Sequence, residues 1–165
     1  MEEQNDLSTM DLAGIAQIAA RYKDEPDQLM RILLEIQSHC GNSIPREAAV
    51  EISRVTGIPE AKLYGYITFY AMFSDKPRGK HIIRMCKSAP CHIVGAREVA
   101  RAIGDCLGIA PGQTTEDGLF TLEYCECIGM CDTGPALMIN DSVYSGLTPE
   151  SAVDLINSYR QGGAE

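Results

Sequence analysis

Residues 81–91 read HIIRMCKSAPC, and the main signal for the fold lies in this stretch. The apolar and β-branched run 81–85 predicts a short strand that ends at Cys86. A second cysteine, Cys91, completes a C-x4-C pair in a segment broken by Pro90. Two closely spaced cysteines directly after a strand predict a metal-binding loop.

A second cysteine pair follows after 35 intervening residues, where Cys127 and Cys131 form C-x3-C. The stretch 119–124 (LFTLEY) precedes this pair and predicts another strand. Two short-range pairs separated by a domain-sized gap indicate two loops that the fold brings to one centre. Four thiolates suit either tetrahedral zinc or an iron–sulfur cluster.

The remaining pattern after residue 80 is that of an α/β domain. Residues 93–107 predict a helix between the two strands, with a buried stripe formed by Val94, Val99, Ile103 and Leu107. Residues 136–139 and 143–144 flank a turn signal and predict a hairpin, and Thr148 begins a final helix. Strand, helix and strand followed by hairpin and helix predict an α/β sandwich of thioredoxin type.

The first 75 residues predict a small helical bundle instead. Apolar residues recur every three or four positions in four segments, about 8–22, 26–40, 45–55 and 59–70. The polar stretch 74–80 contains Pro77 and Gly79, so we expect a domain boundary there. The predicted domains are therefore residues 1–75 and residues 81–160.

The composition and the N-terminal sequence indicate in which compartment to expect the protein. Hydrophobic residues make up 45% of the 165, enough for a buried core, and no apolar run reaches the length of a membrane span. The acidic N-terminus resembles neither a signal peptide nor a transit peptide. We therefore expect a cytoplasmic protein without direct membrane insertion, in which paired cysteines bind metal more often than they form disulfides.

The net charge of −9 argues against a nucleic-acid partner, because such partners are bound largely through Lys and Arg. Residues 46–70 do have the pattern of a helix-turn-helix, the usual reader of a DNA groove. Yet Lys62 is the only basic residue from Ile58 to Met72. The alternative function is thus a zinc-stabilised helix-turn-helix or interaction protein without a redox role.

The spacing within the pairs favours iron–sulfur over zinc and leaves zinc open. Structural zinc ribbons usually use C-x2-C knuckles, and both pairs here have wider gaps. In the predicted layout, Cys91 lies just before a helix whose N-terminal N–H groups stabilise thiolates. Gly129 lets the backbone approach the sulfurs.

Three other features leave alternatives open. Cys125 could replace Cys127 as a ligand, although the Glu-Cys-x-Gly-x-Cys context favours Cys127. His92 beside Cys91 suggests a Rieske centre, but that centre needs two histidines, and the other histidines lack suitable spacing. Cys40 and Cys106 lie on apolar helix faces and are interpreted as core residues.

A set of motifs resembles a known family over nearly the whole chain. In order, the chain carries Thr68-Phe69-Tyr70, the C-x4-C pair followed by Gly95-Ala96, Thr114-x3-Gly118, and Glu126-Cys127-Ile128-Gly129-Met130-Cys131 followed by Pro135. The chain resembles the thioredoxin-like 2Fe–2S subunit that partners the NADH- and FMN-binding flavoprotein of respiratory complex I. Related NAD-linked hydrogenases and formate dehydrogenases use the same type of subunit.

The resemblance implies one 2Fe–2S cluster bound by four cysteines, Cys86, Cys91, Cys127 and Cys131. It implies an electron-transfer subunit of an oxidoreductase that has no activity alone and assembles with the flavoprotein and further iron–sulfur subunits. The sequence has no G-x-G-x-x-G fingerprint, so NADH and FMN are expected on the partner. The parent complex is expected to be a bacterial complex I, which would hold the subunit at the membrane periphery, or a soluble NAD-linked enzyme, electron-bifurcating ones included.

Overall fold

A computed structural model describes residues 11–162 of the chain. The chain divides into two compact units, one ending at Pro77 and the other beginning at Arg78. This division falls within the polar segment 74–80.

The first unit consists of helices that pack around a shared apolar core. Its elements are α1 (Leu12–Arg21), a 3-10 turn (Pro26–Gln28), α2 (Leu29–His39), α3 (Arg46–Thr56) and α4 (Glu60–Phe69). The four predicted segments agree with these helices, except that Ser8, where the first prediction begins, lies outside the described residues. Asp11 caps α1, its side chain accepting a hydrogen bond of 2.8 Å from the backbone N–H of Gly14.

The core of this unit is built from apolar residues that recur at the spacing of helical turns. Ile32, Leu33 and Ile36 on α2 are spaced by three and four residues and are fully buried. The side chain of Gln37 fixes the segment after α4: its Nε2 donates to the carbonyl of Met72 at 3.0 Å, and its Oε1 accepts from the backbone N–H of Ser74 at 3.0 Å. A buried amide is thus satisfied while it holds a loop in place.

The second unit is a mixed five-stranded sheet with helices. Its strands are β1 (His81–Cys86), β2 (Gln113–Thr114), β3 (Phe120–Cys125), β4 (Leu137–Ile139) and β5 (Ser142–Tyr144), in the order β2-β3-β1-β4-β5. Its helices are α5 (Ala89–Ile93), α6 (Ala96–Leu107) and α7 (Pro149–Arg160). β1 and β3 are parallel, while β4 pairs antiparallel with β1 and with β5. The predicted strand–helix–strand and hairpin order is confirmed.

The core of the second unit joins the central strands to two helices. Ile83 and Leu122 from neighbouring strands pack with Val99 and Ile103 of α6 and with Ile156 of α7. This arrangement, a mixed sheet packed with helices, is the thioredoxin-like α/β fold expected from the sequence.

One predicted helix was wrong in its bounds. Instead of a single helix over 93–107, the chain forms α5 and α6, separated at Gly95, whose φ is +101°. Val94 is consequently 53% exposed and does not belong to the buried stripe. The prediction failed because apolar spacing alone does not register a left-handed residue between two helices.

Candidate metal centre

Both cysteine loops leave the same edge of the sheet. β1 and β3 are parallel, and their last residues, Cys86 and Cys125, are register partners. The loops that follow therefore start side by side. Two backbone hydrogen bonds join them: the Lys87 N–H donates to Cys125 O at 3.0 Å, and the Cys86 N–H donates to Ala136 O at 3.1 Å.

The first pair forms the inner half of the site. Cys86 and Cys91 are each only 1% exposed. Burial raises the pKa of the Cys86 thiol, but hydrogen bonds from the backbone N–H groups of Ser88 and Ile128 and from nearby side chains outweigh it, so the pKa is lowered. Burial and the hydrogen bond with Cys86 raise the pKa of the Cys91 thiol. The two inner thiols are thus in direct contact.

This arrangement corrects one expectation about Cys91. The residue lies inside α5 and not just before the long helix, which begins at Ala96. Ser88, which donates to Cys86, is the N-cap residue of α5. The helix start beside the site therefore supports Cys86 and not Cys91, because α5 begins at Ala89 and already contains Cys91.

The second pair forms the outer half of the site. Cys127 and Cys131 are exposed, and their Sγ atoms are 3.3 Å apart. The backbone N–H of Gly129 donates to Cys127 Sγ at 3.4 Å, and the φ of Gly129 is +87°. The hydrogen bond with Cys127, with a smaller effect of partial desolvation, raises the pKa of the Cys131 thiol. The glycine thus brings an N–H group to a sulfur, as the sequence predicts.

The two pairs are close enough to influence each other. Charge on Cys127 raises the pKa of Cys91, and charge on Cys91 and Cys86 raises that of Cys131. Within residues 11–162, no three His, Cys, Asp or Glu side chains converge on a point where one metal ion could be held. The thiols meet two by two, which fits a group containing two iron atoms, each bound by one pair. An all-sulfur donor set with N–H groups directed at it also fits an iron–sulfur cluster.

Gly134, which the sequence did not indicate as part of the site, packs against the buried Cys91. A Cβ atom at this position would lie 3.3 Å from Cys91 Sγ and 3.1 Å from Cγ2 of Val94. The backbone between the second pair and β4 therefore packs directly on an inner thiol. The sequence indicates this close approach only through the Gly134-Pro135 dipeptide that precedes β4.

Cys125, the alternative ligand, has different surroundings. Its thiol is half-buried and lies 3.7 Å from the carbonyl oxygen of Arg84, on the neighbouring strand. Burial and the charge of Cys86 raise its pKa to about 11. In this structure Cys131 is in contact with Cys127, while the Cys125 thiol is turned to the sheet backbone.

The histidines are engaged elsewhere or exposed. His39 pairs with Asp11 at 3.2 Å, and His92 is exposed on α5. His81 is buried against the rings of Phe120 and Tyr159. Among the described residues, no two histidines join the cysteine pairs in a possible site.

The two remaining cysteines differ in their packing. Cys40 packs partly buried against the core of the first unit, in line with its interpretation as a core residue. Cys106 is partly exposed on α6 and does not belong to the buried cluster of the second unit. Its interpretation as a core residue was wrong, because it lies beside the buried face of α6 and not on it.

Two glutamates near the site form ion pairs. Glu123 Oε1 contacts Arg84 Nε at 2.8 Å and lies 3.5 Å from Arg78 Nη1. Glu126, which precedes the outer pair, contacts Lys87 at 2.9 Å, and both side chains are well exposed. Acidic groups therefore lie beside the thiols, but each of these two carries a cationic partner.

In the possible DNA-binding pair α3–α4, the second helix offers little positive charge. Lys62 is the only basic residue of α4, whose buried residues are Leu63 and Ile67. Phe69, at the end of α4, is 80% exposed and makes edge-to-face contact with Tyr70 at 5.0 Å. An aromatic surface of this kind differs from the cationic surface that nucleic acid requires.

None of the helices within residues 11–162 combines the length and the apolar character that crossing a membrane would take.

Comparison with known proteins identifies a family. The model of the thioredoxin-like [2Fe-2S] ferredoxin family matches residues 15–160. An NADH-quinone oxidoreductase subunit of Salmonella typhimurium is 37% identical over 158 residues, which cover 96% of this chain and 95% of that protein. The Pseudomonas aeruginosa protein of the same name is 37% identical over 153 residues, 93% of this chain and 92% of that protein.

A solved structure agrees at the level of the fold. The air-oxidised NAD+-reducing [NiFe]-hydrogenase superposes with a TM-score of 0.68 at 21% identity, over 79% of this chain. The present chain spans only 23% of the matched hydrogenase chain.

Proposed function

The chain belongs to the thioredoxin-like [2Fe-2S] ferredoxin family, and we propose that it is the 2Fe–2S electron-transfer subunit of an NADH-oxidising or NAD-reducing complex. The observation that carries this proposal is that two thiol pairs, one buried and one exposed, lie in loops that leave the same edge of the sheet. The names of the curated relatives support a place in an NADH-quinone oxidoreductase.

We propose that Cys86, Cys91, Cys127 and Cys131 hold the cluster. When bound, the cluster supplies one-electron chemistry. The protein contributes the rest: the inner thiols are buried, and backbone N–H groups of Ser88, Ile128 and Gly129 reach sulfur. Such N–H groups stabilise thiolate charge and influence the redox potential.

The outer pair defines where electrons enter and leave. Because Cys127 and Cys131 are exposed while the inner pair is not, a redox partner approaches the cluster most closely from the side of this loop. We propose that this partner is the NADH- and FMN-binding flavoprotein, which divides the electron pair of NADH into single electrons. Further iron–sulfur subunits then complete the same complex.

The chain itself carries no nucleotide-binding fingerprint, so the proposal assigns NADH oxidation to the partner. We place the subunit in the cytoplasm, peripheral to the membrane where the complex is membrane-bound. Residues 1–75 and 81–160 are its two proposed domains, and the second holds all four ligands. Both complex I and soluble NAD-linked enzymes, electron-bifurcating ones included, are compatible parents, and the neighbouring genes would distinguish them.

A visible spectrum of the chain purified without oxygen tests the cofactor. We expect a coloured protein with two iron and two sulfide per chain, as the thiol pairs require. A colourless chain loaded with zinc would defeat the proposal and favour the zinc-stabilised alternative.

Two single substitutions test the ligand set. Cys127→Ser should lose or strongly alter the cluster spectrum, because it removes a proposed ligand. The matched variant Cys125→Ser should retain that spectrum, because this thiol contacts the Arg84 carbonyl. The reverse result would identify Cys125 as the third ligand.

Activity measurements test the division of labour. The purified chain should not oxidise NADH, whereas adding the flavoprotein should allow NADH to reduce the cluster. NADH oxidation by the chain alone would contradict this proposal.

A further inference from the structure

We propose that Cys127 and Cys131 are a site of reversible thiol oxidation in the cluster-free chain, closing into a disulfide that must be reduced before the cluster can bind. The inference rests on the proposed function, because it takes this pair as cluster ligands. The oxidant that it invokes is a low-molecular-weight disulfide such as oxidised glutathione.

The outer thiols are already close to bonding distance. Their Sγ atoms are 3.3 Å apart, and a disulfide needs about 2.05 Å, so they must approach by roughly 1.3 Å. Both cysteines lie in the irregular segment between β3 and β4. Closing the bond therefore breaks no hydrogen bond of the sheet.

Exposure makes the oxidation selective. Cys86 and Cys91 are in contact as well, but each is 1% exposed, so a dissolved disulfide cannot reach their sulfur atoms. Cys125 is half-buried with its thiol against the Arg84 carbonyl. Among the described cysteines, the outer pair alone combines exposure with a neighbouring thiol, the two conditions that intramolecular closure requires.

The reaction is an ordinary thiol–disulfide exchange. One outer thiolate attacks a sulfur of the small disulfide, forming a mixed disulfide and releasing one small thiol. The second outer thiolate attacks the protein sulfur of that mixed bond and releases the second small thiol. The protein pair loses two electrons and two protons, and the small disulfide gains both.

The product cannot bind a cluster. Iron binds cysteine as thiolate, and both sulfurs of a disulfide lack that charge. Oxidation thus removes half of the ligand set while the buried half stays reduced. Loading of the cluster would then depend on a cellular thiol reductant.

Thiol counting on the full chain tests the site. The cluster-free chain is incubated with oxidised glutathione, its free thiols are alkylated, and the products are mapped by mass spectrometry. We expect loss of two of the seven thiols, with the new bond joining Cys127 to Cys131. The cluster-loaded chain should resist the same treatment, because its sulfurs are bound.

Two variants sharpen this result. Cys131→Ser has no resolving thiol, so it should retain a glutathione on Cys127. Cys106→Ser removes a partly exposed cysteine from α6 and should close the disulfide like the wild-type chain. A bond between Cys86 and Cys91, or no loss of thiols, would overturn the proposal.

Cluster loading tests the consequence. The oxidised chain, given iron and sulfide without a thiol reductant, should lose most of the visible absorbance that the reduced chain gains, and a reductant should restore it. Equal loading of both forms would overturn the requirement for prior reduction. Failure of the reduced chain to form a cluster would instead count against the proposed function.

Discussion

The four thiols of the site differ in their surroundings. Cys86 and Cys91 are sealed inside the protein, and Cys127 and Cys131 are exposed. N–H groups reach sulfur in both halves, from Ser88 and Ile128 on the inside and from Gly129 on the outside. We therefore expect individual residues to influence both the retention of a bound cluster and its midpoint potential.

Gly129→Ala tests the N–H group at the outer pair. With φ at +87°, an alanine is strained by about 1–2 kcal/mol, and the strain should displace the N–H from Cys127 Sγ. We expect a lower midpoint potential and easier loss of the cluster, because hydrogen bonds to sulfur favour the reduced form. The potential is measured by redox titration followed by electron paramagnetic resonance.

Gly57→Ala is the matched control for this substitution. Gly57 ends α3 with φ at +73° and, like Gly129, has open space around its Cβ position. The control should lose a similar amount of folding stability and keep the wild-type potential. An unchanged potential in Gly129→Ala would show that its N–H group is unimportant.

The buried His81 should make the folding stability of the chain depend on pH. Burial, with a smaller contribution from Lys80, lowers the pKa of His81 below its unfolded value of about 6.5. Its Nδ1 atom has no hydrogen-bond partner within the described chain. The folded state thus favours neutral His81, so its stabilising effect is complete above about pH 6.5 and is lost as the pH falls through the folded pKa.

Denaturant unfolding of the cluster-free chain at about pH 7.5 and about pH 5.5 measures this effect. The wild-type chain should be less stable at the lower pH, and His81→Gln should reduce the difference. His92→Gln, which changes an exposed histidine, should leave it intact. Equal pH differences in all three proteins would refute the role of His81.

At the scale of elements, the parallel pair β1–β3 creates the site. It places the two cysteine loops side by side, and the Arg84–Glu123 ion pair joins the strands two residues before their ends. Short α5 then directs Cys91 back toward Cys86. A break in the helical segment at Gly95 separates this turn from α6, which packs in the core.

Substitution of the two glutamates near the site should affect folding stability and midpoint potential to different extents. Glu123→Gln leaves Arg84 and the nearly buried Arg78 without this carboxylate. We therefore expect the free energy of unfolding to fall by about 1–3 kcal/mol. Glu126→Gln affects an exposed ion pair and should cost less than about 1 kcal/mol. It should raise the midpoint potential, because it removes a negative charge beside Cys127.

Denaturant unfolding and redox titration of both variants provide the measurements. Equal losses of stability would mean that burial does not distinguish the two ion pairs. A lower potential in Glu126→Gln would contradict the electrostatic argument.

At the scale of the whole molecule, charge is unevenly distributed. Residues 1–80 hold 9 basic and 12 acidic groups, and residues 81–165 hold 5 and 11, so the second part carries −6 of the net −9. Negative charge disfavours adding an electron to an anionic cluster. The half of the chain that contains the thiol pairs therefore favours a low potential.

We expect a midpoint potential nearer to that of plant-type ferredoxins, about −400 mV, than to that of Rieske centres. A redox titration of the cluster-loaded chain tests this value, and increasing salt should raise it by screening the exposed charges. A positive midpoint would mean that hydrogen bonds to sulfur outweigh the acidic surroundings.

Much of this organisation is readable in the sequence. The period of apolar residues indicates the helices before residue 75, because burial of one helix face imposes this period. Short runs of apolar, aromatic and β-branched residues indicate β1 and β3, which are largely buried. The closely spaced cysteine pairs indicate a thiolate site, because few other roles in a reducing compartment require such spacing. Family motifs then narrow the site to a 2Fe–2S cluster.

The tertiary structure alone decided how the two pairs differ. Sequence spacing does not reveal that Cys86 and Cys91 are buried while Cys127 and Cys131 are exposed, because burial depends on what packs over each loop. The approach of Gly134 to Cys91 and the left-handed break at Gly95 likewise arise from backbone conformation, which leaves no apolar period. The sequence determined the two cysteine pairs and their spacing, and packing determined which of the four thiols are open to solvent.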